Sequence, residues 1–291
     1  MPGPHLRFVT LNLWGENGPW AERLALVGAE LDRLAPDVVA LQEVRQAEER
    51  VPNQAVALAE ARGWHHVFAP STNWGGGQEG LAILSRFPIG AHDWRPLPHS
   101  TETEGRIVLS ARVDSDLGPI WAHSTHLSYR ENEGLKREAQ VLTIDEVVTA
   151  HAQAGDAPQI VMGDFNTVPE SDEIRWLTGL CTLAGRRVFY QDAWACTHAG
   201  EVGAGAGATW TRANDYTEGM FWLRRDRRLD YIFVTPVRRD RRGTISSAAL
   251  AFHEPQVSPN GERLFASDHF GLVADVRFSS EAAGGGPERS K

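Results

Sequence analysis

Short apolar runs that end in polar side chains recur along this 291-residue chain and restrict the folds open to it. The clearest run covers residues 160–162 and continues through Gly163 into Asp164, Phe165 and Asn166. Because alternate residues of an extended strand point to the same side, Asp164 and Asn166 are predicted to face one site and Phe165 the core. A carboxylate beside an amide suits a hard metal ion or a phosphate group.

Four other polar clusters lie at the ends of predicted strands. In chain order they contribute Asn12, Glu43, His126, and a last group of Asp230, Asp268 and His269. Side chains from several strand ends meet at one rim of a sheet, which is a common place for the active site of an α/β protein. The set is rich in oxygen ligands and has no zinc-type Cys/His quartet, so it favours Mg²⁺, with Mn²⁺ as the alternative.

The apolar periodicity predicts ten strands and four helices. Strands are predicted over residues 6–13, 38–44, 64–68, 81–84, 107–113, 120–126, 160–162, 229–234, 247–252 and 270–278. Helices are predicted over 20–34, 53–62 (capped by Asn53), 133–151 and 171–180, with loops at 71–80 and 199–208. This pattern indicates one α/β domain with mixed sheets over residues 1–279, followed by a flexible polar tail over 280–291.

Composition limits the partners and the compartment. A net charge of −9 with only two lysines does not favour salt-driven nucleic-acid binding, although nucleic acid stays open as a substrate. No apolar run approaches the roughly 18 residues that span a membrane, and no secretory signal is recognised at the N-terminus. Cys181 and Cys196 are expected to be free thiols, and the protein is expected to be cytoplasmic.

The ordered motifs resemble those of the endonuclease/exonuclease/phosphatase superfamily, which has the DNase I-like fold. They are Thr10-Leu11-Asn12, Leu41-Gln42-Glu43-Val44, the segment 80–89 (GLAILSRFPI), Thr125-His126-Leu127, Gly163-Asp164-Phe165-Asn166, Arg228-Leu229-Asp230-Tyr231-Ile232 and Ser267-Asp268-His269. The resemblance covers nearly the whole chain. It implies an α/β (α+β) fold, a four-layer α/β/β/α sandwich of two packed mixed sheets with outer helices.

The same resemblance implies roles for the motif residues. Glu43 is the expected principal metal ligand, with Asn12 and Asp268 as further ligands. Asp164 and Asn166 are expected to orient the attacking water and hold the phosphate. His269, paired with Asp230, is either the general base or a phosphate-binding imidazolium. His126 is expected on the phosphate side, with Glu79 as a candidate to orient it.

Residues beside the motifs are candidates for substrate contacts. Two arginine clusters, at 224–228 and 238–242, are expected to be solvated charge, with an anion-binding rim that includes Arg228 as the alternative. Tryptophans in or beside neighbouring loops are candidates to stack on a base, a ring or a lipid head group. They are Trp14, Trp74, Trp210 and Trp222.

The sequence therefore predicts a Mg²⁺-dependent phosphoesterase in which water attacks a phosphodiester, or a phosphomonoester, with help from the metal. A small-molecule or nucleotide substrate is slightly favoured. The alternatives are a repair-type DNA or RNA nuclease, a sphingomyelinase-like phospholipid phosphodiesterase, and an inactive binding module. An inositol 5-phosphatase is disfavoured, because the Trp-Cys-Asp-Arg block of that branch is replaced here by Arg228-Leu229-Asp230-Tyr231.

Overall fold

Two six-stranded sheets pack face to face in the computed structural model, which describes residues 4–152, 157–200, 207–217 and 225–279. The strands of these sheets and of a small hairpin are β1 (His5–Asn12), β2 (Val38–Ala47), β3 (His65–Trp74), β4 (Gly77–Ser85), β5 (Ile89–Pro96), β6 (Ile107–Ser115), β7 (Gly118–His126), β8 (Ile160–Asp164), β9 (Gln191–Asp192), β10 (Asp230–Val234), β11 (Ile245–Ala251), β12 (Gln256–Val257), β13 (Arg263–Leu264) and β14 (Gly271–Arg277).

The first sheet has the order β11-β14-β1-β2-β4-β3. β1 runs parallel to β2 and antiparallel to β14, so the first and last long strands of the fold are neighbours at its centre. The second sheet has the order β5-β6-β7-β8-β10-β9, with β7 and β8 parallel and β8 and β10 antiparallel. Both sheets are mixed, as the spacing of the predicted elements indicates.

Helices cover the outer faces of the sandwich. They are α1 (Trp20–Leu34), α2 (Gln54–Glu60), α3 (Gly134–His151) and α4 (Asp172–Leu177), while a further helix, α5 (Ala193–Thr197), packs Ala193 and Trp194 into the cluster between the sheets. Apolar side chains of α1 and α2 pack on the first sheet, and those of α3 and α4 pack on the second. A third cluster fills the space between the sheets, so the predicted four-layer α/β/β/α order is confirmed.

Most of the predicted elements are found within a few residues of their expected bounds. Helix α1 has the expected limits, and the side chain of Asn53 caps α2 by accepting from the backbone N–H groups of Ala55 and Val56. Phe165 is fully buried, as expected from its position between Asp164 and Asn166. Both cysteines are free.

Two expectations about loops and strands are wrong. The predicted loop 71–80 is a β-hairpin, in which β3 and β4 pair as far as Trp74 and Gly77 and turn at Gly75 and Gly76. The sequence did not reveal these two strand ends because their residues are polar and lie beyond the apolar core. Strand β5 was not predicted, because nearly all of it is exposed and it carries no apolar run.

Some expectations fall outside the described residues. Most of the predicted loop 199–208 and all of the tail 280–291 lie there. The division into a domain at 1–279 and a tail therefore stays a prediction. Among the described helices, none is both long and apolar enough to cross a membrane.

Candidate active site

Three neighbouring strands place polar side chains in register at one rim of the second sheet. His126 ends β7 and aligns with Asp164 at the end of β8, which aligns with Asp230 at the start of β10. Across the sandwich, β1 ends at Asn12, and Ser267 ties the approach to β14 to this end by donating to the Asn12 carbonyl at 2.6 Å. The fold therefore collects the predicted motif residues from both sheets.

These residues surround a cleft of about 850 Å³ between the two sheets. A larger open groove of about 1090 Å³ lies beyond the end of β2, beside the tip of the β3–β4 hairpin, and none of its described lining residues is a histidine. We regard the cleft as the candidate active site because it holds the ionisable cluster. Its lining includes Glu43, His126, Asp164, Asn166, Asp268 and His269.

His269 and Asp230 form a buried pair at the floor of the cleft. The Nδ1 atom of His269 lies 2.8 Å from Oδ2 of Asp230, which leaves Nε2 facing Asp164 at 3.8 Å. Thr209 fixes the start of β10 by accepting from the backbone N–H of Asp230 at 3.2 Å. Burial opposes a charged imidazole, but Asp230, Asp164 and Asp268 together raise the pKa of His269 well above its usual value.

Asp164 is the hub of the hydrogen bonds in the site. Its Oδ1 accepts from the backbone N–H of Asn166 at 2.8 Å, and its Oδ2 accepts from Nδ2 of Asn12 at 3.0 Å. Oδ2 also lies 3.4 Å from Nε2 of His126. Burial raises the pKa of Asp164 to about 7, with a further contribution from the charge of Asp230.

Asn166 reaches the cleft by a route that the alternation argument did not predict. Its φ of 51° is left-handed, so the backbone turns after Phe165 and does not continue as an extended strand. Its side-chain NH₂ donates to the carbonyl of Leu127 at 3.1 Å. Asn166 and Asp164 do line the same cleft, but a turn and a backbone hydrogen bond bring them together.

Asn12, a predicted metal ligand, forms hydrogen bonds to two carboxylates of the site. Its amide oxygen accepts from the backbone N–H of Trp14 at 2.9 Å, so its nitrogen points into the site. That nitrogen donates to Glu43 and to Asp164, at 3.0 Å in both cases. In this arrangement Asn12 holds the two carboxylates in place, and its role as a metal ligand stays a prediction.

His126 differs from His269 in its surroundings. Its Nε2 lies 4.0 Å from Glu43 and closer to Asp164, and the ring is buried. Burial, with the positive charges of Arg106 and His269, lowers the pKa of His126 well below its usual value. The two histidines of the cleft therefore favour opposite protonation states.

The carboxylates of the cleft fit a divalent cation. Burial and the charge of Glu43 raise the pKa of Asp268 to about 6, which reflects acidic groups held close together. A hard cation would offset this repulsion, and carboxylate oxygens are its preferred ligands. Asp164, Asp230 and His269 also offer atoms within 4.8 Å of one another. The predicted metal ligands Glu43 and Asp268 line the same cleft.

Three of the four predicted tryptophans line the cleft, and the fourth, Trp222, lies outside the described residues. Trp14 packs against Tyr216 at 4.8 Å between ring centres. Trp74 is 41% exposed and rests on the buried guanidinium of Arg45, 3.9 Å from its ring centre. Trp210 is almost fully buried, and the guanidinium of Arg227 lies over its ring.

Glu79 lines the cleft but is bound to a different partner from the one expected. Its carboxylate accepts from the indole N–H of Trp74 at 3.1 Å, whereas the nearest carboxylates to His126 are those of Asp164 and Glu43. Burial and the charge of Glu43 raise the pKa of Glu79 to about 7. Glu79 therefore fixes Trp74, and its predicted role in orienting His126 is wrong.

Arg228 is the second correction among the substrate contacts. Its guanidinium is buried and forms two hydrogen bonds to Asp192, at 3.0 and 2.7 Å, so it supports α5 and does not line the cleft. The neighbouring Arg227 lines the cleft in its place. The cluster at 238–242 follows the far end of β10, at the opposite rim of the sheet.

Several lining residues were missed because nothing in the sequence marks them. They come from the hairpin, the approach to β6 and the loop after β7, and include Thr72, Arg106, Tyr129 and Arg130. The one feature that these residues share is their place in the sequence, since each lies within a few residues of a motif or of a strand end.

The model of the Endonuclease/Exonuclease/phosphatase family matches residues 9–269 of this sequence, from β1 to the last motif. The chain belongs to that family. Members are hydrolases that act on phosphodiester bonds and generally depend on a divalent metal. A comparison with curated proteins finds no match.

Solved structures support the same fold. A family protein from Beutenbergia cavernae is 25% identical with a TM-score of 0.65, and the match covers 94% of this chain and 71% of that one. The human Nocturnin catalytic domain with bound sulfate is 20% identical, with a TM-score of 0.69 over 95% and 96% of the two chains. A humanized D. rerio TDP2 is 20% identical, with a TM-score of 0.70 over 94% and 99%.

Proposed function

We propose that this protein is a Mg²⁺-dependent phosphodiesterase that hydrolyses a small-molecule or nucleotide phosphodiester by direct attack of water. The observation that carries the proposal is the placement of Asp164, which lies within 4 Å of both His126 and His269 while Asp230 holds His269 from behind. Such an arrangement gives acid–base groups on two sides of one carboxylate. A binding module has no evident need for it.

In this proposal some side chains of the cleft orient the attacking water, and others take part in proton transfer. Asp164 and Asn166 would orient the attacking water, and Asp230 would keep the His269 ring turned so that Nε2 faces the cleft. The water oxygen forms a new bond to phosphorus, the bond from phosphorus to the leaving oxygen breaks, and that oxygen ends as a hydroxyl. One water proton passes to the Asp164 carboxylate and is then released to solvent, and the leaving oxygen takes its proton from solvent. His269, whose pKa is raised, keeps its proton, and His126 faces the phosphate from the opposite side.

Glu43 and Asp268 would hold the metal ion, with Asn12 keeping Glu43 in position through its amide nitrogen. When bound, Mg²⁺ would supply positive charge to offset the charge that develops on the phosphate oxygens. Mn²⁺ has similar ligand preferences and is the expected substitute.

The charges of the cleft support a small substrate over a long nucleic acid. The arginines in its described lining are all paired with carboxylates: Arg106 and Arg130 with Glu104, and Arg227 with Glu131. Together with the net charge of −9, this leaves no continuous basic track in the described cleft lining. A nuclease with a wide basic groove is therefore the less favoured reading.

The proposal predicts metal-dependent cleavage of bis-p-nitrophenyl phosphate. We expect turnover with Mg²⁺ or Mn²⁺, loss of turnover in EDTA, and slower or no release from the monoester p-nitrophenyl phosphate. Asp164→Asn should reduce kcat by roughly 100-fold or more, because an amide cannot accept the proton or hold the water in the same way. Asp172→Asn, on the exposed surface of α4, is the matched control.

Cleavage that survives EDTA, or an Asp164→Asn enzyme as fast as wild type, would contradict the proposal. If no phosphoester is cleaved in a screen that includes nucleotides, lipids and nucleic acids, the binding-module reading replaces it.

A further inference from the structure

Arg227 is held rigidly beside the catalytic cluster. Its backbone forms two hydrogen bonds with Trp210, each of 2.9 Å, three residues before Asp230. Its guanidinium carbon lies 4.3 Å from the centre of the Trp210 ring, and that ring is only 7% exposed. Since both residues line the cleft, the strand start and the aromatic floor together fix the direction of the guanidinium.

The ion pair between Arg227 and Glu131 is weak because the Glu131 side chain is exposed to solvent. One terminal nitrogen donates to Glu131 at 2.8 Å, but the Glu131 side chain is 72% exposed and belongs to the loop between β7 and α3. An exposed carboxylate gives up such a contact at little cost in free energy. Moreover, Nε of Arg227 is buried and has no hydrogen-bond partner within the described ranges.

A planar guanidinium matches two oxygens of a phosphate, whereas Glu131 engages it through a single short contact. Arg227 also lies near the reacting centre: burial lowers its pKa, while the charges of Glu131 and Asp164 raise it. A group attached to the substrate a few bonds from the reacting phosphorus would therefore meet it.

Two other arginines near the cleft differ from Arg227 in this respect. Arg130 stacks on Tyr129 but is shared by two carboxylates, those of Glu104 and Glu133. Arg228 is fully committed to Asp192 by two hydrogen bonds. In the described lining, Arg227 is the arginine with both a fixed direction and an exposed, replaceable partner.

We propose that Arg227, on its Trp210 floor, is a specificity residue that binds a second phosphate of the substrate, and that Glu131 holds this position until the substrate displaces it. The inference rests on the proposed phosphodiesterase activity and deepens it. It names the preferred substrate class as phosphodiesters that carry a further phosphate monoester, such as nucleoside bisphosphate esters.

Two substrates that differ by one group test it. They are the p-nitrophenyl ester of thymidine 5′-phosphate and the same ester with a phosphate on the 3′-hydroxyl. We expect wild-type kcat/KM to favour the second by about tenfold or more. Arg227→Gln should remove most of this preference through KM, and Glu131→Gln should increase it by lowering KM for the same substrate.

The matched controls are Arg175→Gln and Asp172→Asn, which break an arginine–carboxylate pair of the same 2.8 Å length on α4, outside the cleft. They should leave the preference unchanged. An equal loss on both substrates in Arg227→Gln would mean a structural role only. The same would follow if Glu131→Gln and Arg227→Gln changed the preference in the same direction.

A binding measurement separates this inference from the proposed activity. In EDTA, where no turnover is expected, calorimetry should show tighter binding of thymidine 3′,5′-bisphosphate than of thymidine 5′-monophosphate, and Arg227→Gln should remove the difference. Equal binding by wild type overturns the inference even if the diester is hydrolysed. If the bisphosphate binds more tightly but no diester is hydrolysed, the inference is supported and only the proposed catalysis is contradicted.

Discussion

Three residues of the cleft have left-handed backbone conformations that side chains disfavour. Trp14, Glu43 and Asn166 have φ values of 59°, 51° and 51°. Asparagine tolerates this region, but a tryptophan or glutamate there carries a cost of order 1 kcal/mol or more. At Glu43 the strained residue interrupts the pairing of β2 with β4, since the register shifts between Leu41 and Val44. The irregularity turns the Glu43 carboxylate into the cleft.

This strain predicts that glycine is more stable than alanine at position 43, which is the reverse of their usual order in a strand. Glu43→Gly should be more stable than Glu43→Ala by about 1 kcal/mol, because glycine adopts positive φ without a clash of its Cβ. Both variants should be inactive. Urea denaturation gives the two free energies of unfolding.

The control for that comparison is Ala249→Gly on the exposed side of β11, where glycine should cost roughly 0.5–1 kcal/mol relative to alanine. If alanine is also the more stable choice at position 43, backbone strain is not what shapes this part of β2.

At the scale of elements, the approach of β7 to β8 sets the position of the Asp164 carboxylate. Gly163 comes directly before Asp164 and pairs with Thr125 of β7. A Cβ at this glycine would lie 2.0 Å from the Thr125 carbonyl oxygen, and its φ is 150°. Only glycine lets the two strands come this close.

Gly163→Ala should therefore separate the strands, destabilise the fold by about 2–3 kcal/mol and lower activity sharply. Gly118→Ala is the matched control, since that glycine also has a positive φ but no atom within 4 Å of its Cβ position, and it should cost about 1 kcal/mol. Thermal unfolding and diester hydrolysis measure the two effects. Similar losses in both variants would show that the close approach is not the cause.

Elements with an apolar pattern were predictable, and those made of polar residues were not. Helix α1 and strand β8 follow from periodicity, and the cap of α2 follows from Asn53. The hairpin tip at 71–80 and strand β5 carry no such pattern, because they lie at an edge or beyond the core. In the same way the motif order predicted the catalytic cluster, but the direction of Asn12 and the exchange of Arg228 for Arg227 depend on tertiary contacts.

At the scale of the whole molecule, buried His123 ties stability to pH. Nε2 of His123 donates to Oε1 of Gln159 and Nδ1 accepts from Ser110, both at 2.8 Å; the amide orientation follows because Nε2 of Gln159 donates to Val148. Burial lowers the pKa of His123 from 6.5 to about 4. The unfolded chain therefore binds a proton at a higher pH than the native protein does.

As a result, the stabilising contribution is complete above pH 6.5 and is lost as the pH falls towards about 4, with a total of about 3 kcal/mol. Replacing the imidazole in His123→Asn should make the dependence of unfolding free energy on pH shallower in this window. Exposed His65→Asn should leave it as in wild type. Parallel curves for wild type and His123→Asn would contradict this account.

The pairing of β1 with β14 has a consequence for biosynthesis. A ribosome makes Asn12 long before Asp268 and His269, and the segment that anchors them, β14, is the last strand among the described residues. A nascent chain that has not reached Asp268 and β14 therefore lacks two residues of the cleft and the antiparallel partner of β1. The cell cannot meet this site in assembled form until the ribosome has passed β14.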